Sequence, residues 1–230
     1  HTFLQFLKMK NIEVLKFYPE RFFKKGFPEH NERSVPEKTI AHLIKELPAF
    51  PEHLQLMYLI LFCTGIRKSE VCTIKSGAFY SQGNENWMRI YQSKMRREKV
   101  IPVPSLLVGL VNDYEKKYGI KNGEYLFKNK KGGAFNGQTF SNQMIRECKA
   151  RGIACGDYIF RAHDYRHNLA TSMYGNGVSI QGVRDYLGHS SENMTKQYID
   201  FMPERIVSAE DKYFSRNQSF KLKGVEDDER

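Results

Sequence analysis

Four short segments of the sequence carry side chains suited to binding and transferring a phosphate. The first, residues 63–71, reads C-T-G-I-R-K-S-E-V. If a helix ends at Gly65, Arg67 lies at the start of the next helix, where unbonded backbone N–H groups already favour an anion. The planar guanidinium can bind two phosphate oxygens at once, and Glu70 on the same helical face can hold it. By itself this spacing favours an ordinary Arg–Glu pair at a helix start.

The second segment is a basic turn between two predicted strands. Residues 92–99 read Q-S-K-M-R-R-E-K, so the cations are Lys94, Arg96, Arg97 and Lys99. A basic turn can lie along a DNA backbone and deliver one ammonium group to a reacting phosphate. Arginine is a poor proton donor because its pKa exceeds roughly 12, so proton donation falls to Lys94 or Lys99. By itself the segment is better explained as a solvated turn.

The third segment, residues 163–167, reads H-D-Y-R-H within a predicted helix. His163 and Arg166 are three residues apart, which places both on one helical face and lets them contact the same phosphate. The imidazole can transfer a proton and the guanidinium can hold negative charge. The same pentapeptide is also compatible with a helix that has only a structural role.

The fourth segment, residues 187–198, begins L-G-H and ends with Tyr198. On one unbroken helix, nine steps of roughly 100° would place His189 and Tyr198 on opposite faces. Gly188 is expected to end one helix, and a serine followed by Glu192 can cap another. His189 then lies in the turn and Tyr198 about two turns into the next helix, so both can reach a common point. A lone helical tyrosine is more often a packing residue.

The elements that position these segments are predicted from apolar periodicity and from helix caps. Ser34 and Glu37 have the S-x-x-E spacing of a capping box, ahead of apolar residues at 40, 43, 44 and 47. Pro102 marks a strand end or a sheet edge. Further helices are predicted over residues 52–64, 67–74, 139–151, 163–174, 179–187 and 192–201, with strands over 87–91 and 100–103 and a short extended segment at 124–127. The pattern predicts a mainly α fold with one small antiparallel β-sheet.

The composition favours a nucleic-acid partner. Among 230 residues there are 36 Lys and Arg against 26 Asp and Glu, a net charge of +10, which suits a polyanion. No apolar run reaches the ~18–20 residues that a membrane span needs, and no secretory signal is visible, so a cytoplasmic location is expected. The four cysteines form no C-x-x-C pair, which favours reduced thiols over disulfides or a zinc site.

Together the four segments resemble the motifs of the tyrosine recombinase, or phage integrase, family. T-G-I-R-K-S-E-V is similar to that family's first arginine motif, and Q-S-K followed by V-I-P-V is similar to its β-hairpin lysine. H-D-Y-R-H is similar to its H-x-L-R-H motif, and L-G-H with a tyrosine nine positions later is similar to its closing motif. The resemblance covers about residues 34–205. Tyr165 replaces the family's usual leucine and is expected to affect packing and not chemistry.

The resemblance implies the catalytic domain fold of tyrosine recombinases and a covalent mechanism. Tyr198 would attack the scissile phosphate and form a 3′-phosphotyrosyl link. Arg67, Arg166 and His189 would bind the non-bridging oxygens and stabilise the negative charge of the transition state. The link would preserve the energy of the phosphodiester, so rejoining would need no ATP, metal or other cofactor.

The remaining roles implied by the resemblance concern proton transfer and DNA contact. Lys94 would protonate the leaving 5′-oxygen, and His163 would assist proton transfer from or to the tyrosine. Glu70 would be the supporting residue, the carboxylate that holds Arg67. The DNA contacts would be the other cations of the basic turn: Arg96, Arg97 and Lys99.

The resemblance also implies partners and a domain organisation. The substrate would be double-stranded DNA, bound by a homo-oligomer that is a dimer on one site and a tetramer in the synapse. Accessory DNA-bending or directionality proteins and a prokaryotic-type, nucleoid-associated location would accompany it. Residues 34–215 would form the catalytic domain, 1–33 a basic linker or the end of a truncated N-terminal core-binding region, and 216–230 a loose acidic tail.

Three alternatives remain at this point. A type IB topoisomerase-like enzyme uses the same chemistry, but L-G-H followed by tyrosine at this spacing favours the recombinase. A non-enzymatic helical DNA-binding protein would account for the charge but not for the ordered catalytic-type residues. A metal-dependent transposase needs a carboxylate cluster for two metal ions, and no such acidic pattern stands out.

Overall fold

The computed structural model describes residues 35–93, 95–153 and 158–189, together with Glu192 and Thr195. The predicted cap at Ser34, the side chains of Lys94 and Tyr198, and the predicted regions 1–33 and 216–230 lie outside the described residues. Of the helix predicted over 192–201, Glu192 and Thr195 are described and both are helical.

Two helices joined by a short turn form the centre of the described fold. Helix α1 (Glu37–Glu46) follows Pro36, a 3-10 turn spans Leu47–Ala49, and helix α2 (Glu52–Thr64) comes next. The core of the fold forms around α2, where the following side chains are completely buried: Leu54, Met57, Ile60 and Leu61. Burial of such a side chain contributes roughly 1.5–3 kcal/mol to stability, so α2 is a fixed frame for the loop that follows it.

One antiparallel sheet of three strands lies beside the helices. Its strands are β1 (Phe79–Gln82), β2 (Glu85–Gln92) and β3 (Arg97–Pro102), in the order β1-β2-β3. The β2–β3 hairpin contains both predicted strands, with Gln92 paired to Arg97 next to the basic turn. Pro102 ends β3, as its lack of an N–H predicts. The segment at 124–127 adds only an isolated bridge between Lys75 and Tyr125, and β1 was not predicted.

Five further helices have their bounds within the described residues. Helix α3 (Lys68–Cys72) is shorter than predicted, and helix α4 (Ser105–Tyr118) was not predicted. Helices α5 (Gly137–Ala150), α6 (Ala162–Gly175) and α7 (Ile180–Leu187) agree with the predicted positions to within two residues. The predicted mainly α fold with a small antiparallel sheet is therefore confirmed. Within the described part of the chain, no helix has the length and apolarity to cross a bilayer.

Local caps determine where the helices next to the site begin and end. Gly65 ends α2 with φ 58 and Gly188 ends α7 with φ 70, both in the left-handed region that glycine adopts without a Cβ penalty. The Ser179 side chain caps α7 by accepting a bond from the Gly182 N–H. The loops after Gly65 and Gly188 therefore begin at fixed points, and one side chain, Arg166, bonds the carbonyls at both of them.

Candidate active site

Arg67 occupies the N-cap of α3, in the loop that Gly65 opens. Glu70 accepts one hydrogen bond from the Arg67 backbone N–H at 2.8 Å and another from Arg67 Nη1 at 2.9 Å. The Glu70 side chain is 2% exposed, whereas that of Arg67 is 18% exposed. The predicted contact between Glu70 and Arg67 is therefore present, and it leaves part of the guanidinium open to a ligand.

Arg166, on α6, is 1% exposed and joins two loops. Its Nη1 donates to the Gly65 carbonyl at 2.8 Å, and its Nη2 donates to the Leu187 carbonyl at 2.6 Å. Each carbonyl lies two residues before a predicted phosphate ligand, Arg67 in one loop and His189 in the other. A guanidinium has five N–H groups fixed in one plane, so a single side chain can bond carbonyls of both loops at once. Arg166 is thus the element that brings the two loops together.

His189 lies in the turn after α7 and is 4% exposed. Its backbone N–H donates to the Arg184 carbonyl at 3.0 Å, and its Nδ1 lies 3.0 Å from Thr195 Oγ1. Burial lowers the pKa of His189 to about 3, with further lowering by nearby cations, first by Arg166. The imidazole is therefore neutral near pH ~7 and can stabilise an anion by donating one N–H bond, not by a full charge.

His163 lies in the first turn of α6, the helix that also carries Arg166, and is exposed at the surface. It meets the His167 ring edge-to-face, with 5.3 Å between ring centroids. His163, Arg166 and Arg67 line one cavity of about 440 Å³. This volume can hold a phosphate group with part of its backbone, and its cationic lining suits an anion. His189 is not part of the cavity lining and is connected to it through Arg166 and Leu187.

The cavity is also lined by two cations that the sequence analysis did not single out. Lys68 Nζ donates to Ser141 Oγ at 3.4 Å, so its ammonium lies between α3 and α5. Arg161 is the exposed N-cap of α6, two residues before His163. Lys68 lies within the first segment and Arg161 lies two residues before the third, so a search for cations in and next to the four segments would have found both.

The β2–β3 hairpin presents its cations in two directions. Arg96, with φ 51, and Arg97 are exposed. Lys99 is half-buried: its Nζ donates to the Tyr186 carbonyl and lies 5.5 Å from the centroid of the Tyr186 ring. Burial, then Arg166, lowers the pKa of Lys99 to about 7. Lys99 therefore belongs to the inner surface of the hairpin and not to its solvent-exposed tip.

Tyr165 is a packing residue, as predicted from its position between the motif residues. It is 1% exposed, and its ring meets Tyr58 edge-to-face at 5.3 Å and Phe160 at 5.4 Å. Burial strongly raises the pKa of the Tyr165 hydroxyl, so this phenol stays protonated. Among the described residues, no group of three or more His, Cys, Asp or Glu side chains is arranged to hold a metal ion.

Comparison with known proteins identifies the class to which this fold and site belong. The model of the phage integrase family matches residues 33–205, so the chain belongs to the phage integrase family. The resemblance drawn from the four segments is confirmed at the level of the family.

Individual relatives and solved structures give the extent of the similarity. The chain is 31% identical over 198 residues to Transposase B from transposon PsiTn554 of Staphylococcus aureus, covering 84% of this chain and 31% of the transposase. It is 25% identical over 199 residues to tyrosine recombinase XerA of Pyrococcus furiosus, covering 86% of this chain and 68% of that protein. It also matches a lambda integrase tetramer bound to a Holliday junction, with TM-score 0.61, 20% identity and coverage of 86% and 56% of the two chains. The chain thus spans about a third of the transposase relative.

Proposed function

We propose that this chain is the catalytic part of a site-specific recombinase that cleaves and rejoins double-stranded DNA through a 3′-phosphotyrosyl link to Tyr198. The observation that carries the proposal is the buried Arg166, which bonds the Gly65 and Leu187 carbonyls and so groups Arg67 with His189. Two guanidinium groups and an imidazole N–H donor assembled in this way stabilise the charge of a pentacoordinate phosphate, which is the main task in phosphoryl transfer.

The cleavage step divides between attack and departure. The Tyr198 hydroxyl forms a bond to the scissile phosphorus while the bond to the 5′-oxygen breaks. A phenol of pKa ~10 is a weak nucleophile near pH ~7, so His163 takes part in its deprotonation and the cations lower the barrier. Lys94 supplies the proton to the leaving 5′-oxygen. Rejoining is the reverse of these steps and uses the energy kept in the tyrosyl phosphodiester, with no ATP, metal or cofactor.

Each described group supports one part of this mechanism. Arg67 has an open side and is held by Glu70, which suits a fixed ligand of a non-bridging oxygen. The neutral His189 can donate its ring N–H to the other oxygen. His163 is exposed on the cavity lining, where a proton-transfer group must be reachable. Arg96 and Arg97 are exposed on the hairpin and serve as contacts to the DNA backbone.

The proposal extends to partners and location. Residues 34–215 form the catalytic domain, preceded by a basic linker or the end of a core-binding region at 1–33 and followed by a tail at 216–230 that ends E-D-D-E-R. The chain acts as a dimer on one DNA site and a tetramer in the synapse, with accessory DNA-bending proteins. Support comes from the lambda integrase tetramer on a Holliday junction, to which this fold is similar, and from the net charge of +10. The bacterial source of the transposase relative supports a nucleoid-associated, cytoplasmic location.

The experiment that tests the proposal traps the covalent intermediate. On a nicked suicide duplex, cleavage releases a short fragment that carries the free 5′-hydroxyl. This fragment diffuses away, so rejoining cannot occur and the protein stays covalently bound to the DNA. The wild-type chain is expected to form an adduct that survives denaturation, in EDTA as well as without it. Tyr198→Phe keeps the ring and should bind DNA normally without forming the adduct.

The same experiment addresses the alternatives. A protein that only binds DNA gives no adduct. Adducts on any sequence, with relaxation of supercoiled plasmid, would indicate the topoisomerase-like enzyme. Loss of the adduct in EDTA would indicate metal-dependent chemistry. An adduct that persists in the Phe variant would assign the nucleophile to another residue.

A further inference from the structure

The inner side of the β2–β3 hairpin contacts the carboxyl end of α7 through three side chains. Lys99 Nζ donates to the Tyr186 carbonyl and lies over the Tyr186 ring. The Tyr186 hydroxyl donates in return to the Pro102 carbonyl, at 3.4 Å. The Gln92 amide packs against Gly188 so closely that a Cβ on that glycine would lie 2.6 Å from Gln92 Oε1. We refer to these interactions as the hairpin–α7 contact.

At the carboxyl end of α7, two consecutive carbonyls accept hydrogen bonds from cations of two different elements. Lys99 reaches the Tyr186 carbonyl from the sheet, and Arg166 reaches the Leu187 carbonyl from α6. The last carbonyls of a helix have no partner within it and form the negative end of its dipole, which favours cations there. Gly188 follows directly, with φ 70, and the next residue is His189. The direction of the His189 loop therefore depends on how these two carbonyls are held.

The surroundings of Lys99 differ from those of a surface lysine. Arg166 on α6, Arg67 on the loop before α3 and Arg97 on the same strand all disfavour its charge, and Glu70 favours it. From the α7 side, His189 and Asp185 are within electrostatic range of its ammonium. Burial is the largest effect, and together these groups lower the pKa of Lys99 to about 7. A DNA phosphate bound among the same cations would raise that pKa again.

We propose that Lys99 is a positioning residue for DNA cleavage, which fixes the carboxyl end of α7, and with it His189, against the hairpin whose turn contains Lys94. The proposal rests on the recombinase function above and deepens it. Lys99 thereby acts through His189 and not by touching the DNA, which separates it from Arg96 and Arg97 on the same hairpin. The charged ammonium is the working form because a charge-assisted bond to a carbonyl is roughly twice as strong as a neutral one.

Three variants test the proposal. Lys99→Met removes the ammonium and keeps most of the stem, and Lys99→Arg keeps a cation that does not titrate. The matched control is Lys75→Met, because Lys75 also lies over a tyrosine ring, 5.4 Å from the Tyr125 centroid, but lies outside the site. The rate of adduct formation is measured at saturating DNA on a normal suicide duplex and on one whose bridging 5′-oxygen is sulfur. The 5′-thiolate leaves without being protonated, so the cleavage rate on this duplex does not depend on the general acid.

The expected result is a loss of rate without a loss of binding. Lys99→Met should cleave both duplexes on the order of 10- to 100-fold more slowly, because displacing a catalytic group by about 1 Å can cost that much. Lys99→Arg should recover most of the rate, and Lys75→Met should match the wild type. On the sulfur duplex the wild-type rate should still fall as pH rises and Lys99 loses its proton. Lys99→Arg should abolish that fall in rate. If Lys99 had a purely structural role, the Arg variant would show the same fall as the wild type.

Each contrary outcome overturns the proposal in a recognisable way. Recovery of Lys99→Met on the sulfur duplex would make Lys99 the general acid. A loss confined to DNA affinity would make Lys99 a phosphate contact. A wild-type rate in Lys99→Met would leave it no role in cleavage. If Lys99→Met does not fold, the pH profile of Lys99→Arg tests the proposal, and a fall in rate equal to that of the wild type would overturn it. Failure of the wild-type chain to form any adduct would refute the recombinase function itself, and so is distinct from these results.

Discussion

At the scale of single residues, the two site arginines differ in what surrounds them. Arg67 is partly open and is held by one carboxylate, whereas Arg166 is buried and bonded to two backbone carbonyls. A guanidinium can span two carbonyls in different loops because its donors are fixed in a plane. An ammonium has its three donors at one point, so it cannot replace that bridge.

Replacement by lysine should therefore affect the two positions differently. Arg67→Lys should slow cleavage on the order of 10²- to 10³-fold, the usual cost of one preorganised donor, with the unfolding free energy almost unchanged. Arg166→Lys should slow cleavage by at least as much. It should also lower the free energy of unfolding by about 1–3 kcal/mol, because a buried carbonyl loses its donor. Adduct rates and urea titrations measure the two effects.

The control for these variants is Arg146→Lys, which changes an exposed arginine of α5 that pairs with Glu147. It should alter neither property. An Arg166→Lys variant as stable as the wild type would mean that the bridge between the Gly65 and Leu187 carbonyls does not hold the loops.

The lowered pKa of His189 predicts a pH dependence of stability with a definite sign. An unfolded histidine has a pKa near ~6.5, whereas the folded value is about 3. Between these pH values only the unfolded chain binds the proton, so the free energy of unfolding falls as pH drops below about 6.5. His189→Gln does not titrate and should show a shallower fall. Urea titrations near pH ~7 and pH ~5 measure the difference, and equal slopes for both proteins would contradict the burial of a neutral His189.

Sequence reasoning found the site contacts that are local and missed those that depend on tertiary structure. The pair of Arg67 and Glu70 follows from three-residue spacing on a helix. Arg166 bonds a carbonyl 101 residues away, and no local pattern encodes such a contact. The inward direction of Lys99 depends on strand register and on the position of α7, neither of which its neighbours in the sequence determine.

At the scale of elements, the predicted helix ends were confirmed where a cap is local and strong. Gly65 and Gly188 end α2 and α7 because only the immediate backbone conformation is involved. The strand β1 was missed because it is four residues long and only Phe79 on it is buried, which leaves no alternation to detect. The helix α4 was missed because its apolar residues, L-L-V-G-L-V, form a continuous run that a buried strand shares.

Gly188 connects α7 to His189, and its replacement tests that connection. Gly188→Ala places a Cβ 2.6 Å from Gln92 Oε1 on a backbone with φ 70. The left-handed backbone alone costs roughly 1 kcal/mol, and the displacement of Gln92 adds to it. Because the strain must be relieved at the hairpin–α7 contact, cleavage should also slow. Thermal or urea unfolding and the adduct rate measure both effects.

Gly119→Ala is the matched control for this variant. Gly119 ends α4 with a similar φ of 59, but a Cβ there meets nothing within 4 Å. It should show the backbone cost alone and cleave DNA at the wild-type rate. Equal effects of the two substitutions on cleavage would mean that the packing of Gln92 on Gly188 has no part in placing His189.

At the scale of the whole molecule, the exposed cations near the site outnumber their carboxylate partners. Lys68 and Arg161 line the cavity, and Arg96 and Arg97 are exposed on the hairpin. Within the part of the chain that the structure describes, none of these four takes part in an ion pair with a carboxylate. Exposed cations without such partners suit a polyanion, whose phosphates replace the missing carboxylates and release condensed counterions.

This distribution predicts how DNA binding depends on salt. Each phosphate contact contributes a slope of about −0.9 to the plot of log affinity against log salt concentration. Lys68→Gln with Arg161→Gln should therefore make the slope shallower by about 2, because one contact is lost for each cation. Fluorescence anisotropy with a labelled duplex across a salt series measures it. Lys149→Gln, an exposed cation in the last turn of α5, is the control and should leave the slope unchanged. A double variant with the wild-type slope would mean that the cavity beside His163 does not face the DNA backbone, because a phosphate held there could not avoid both cations.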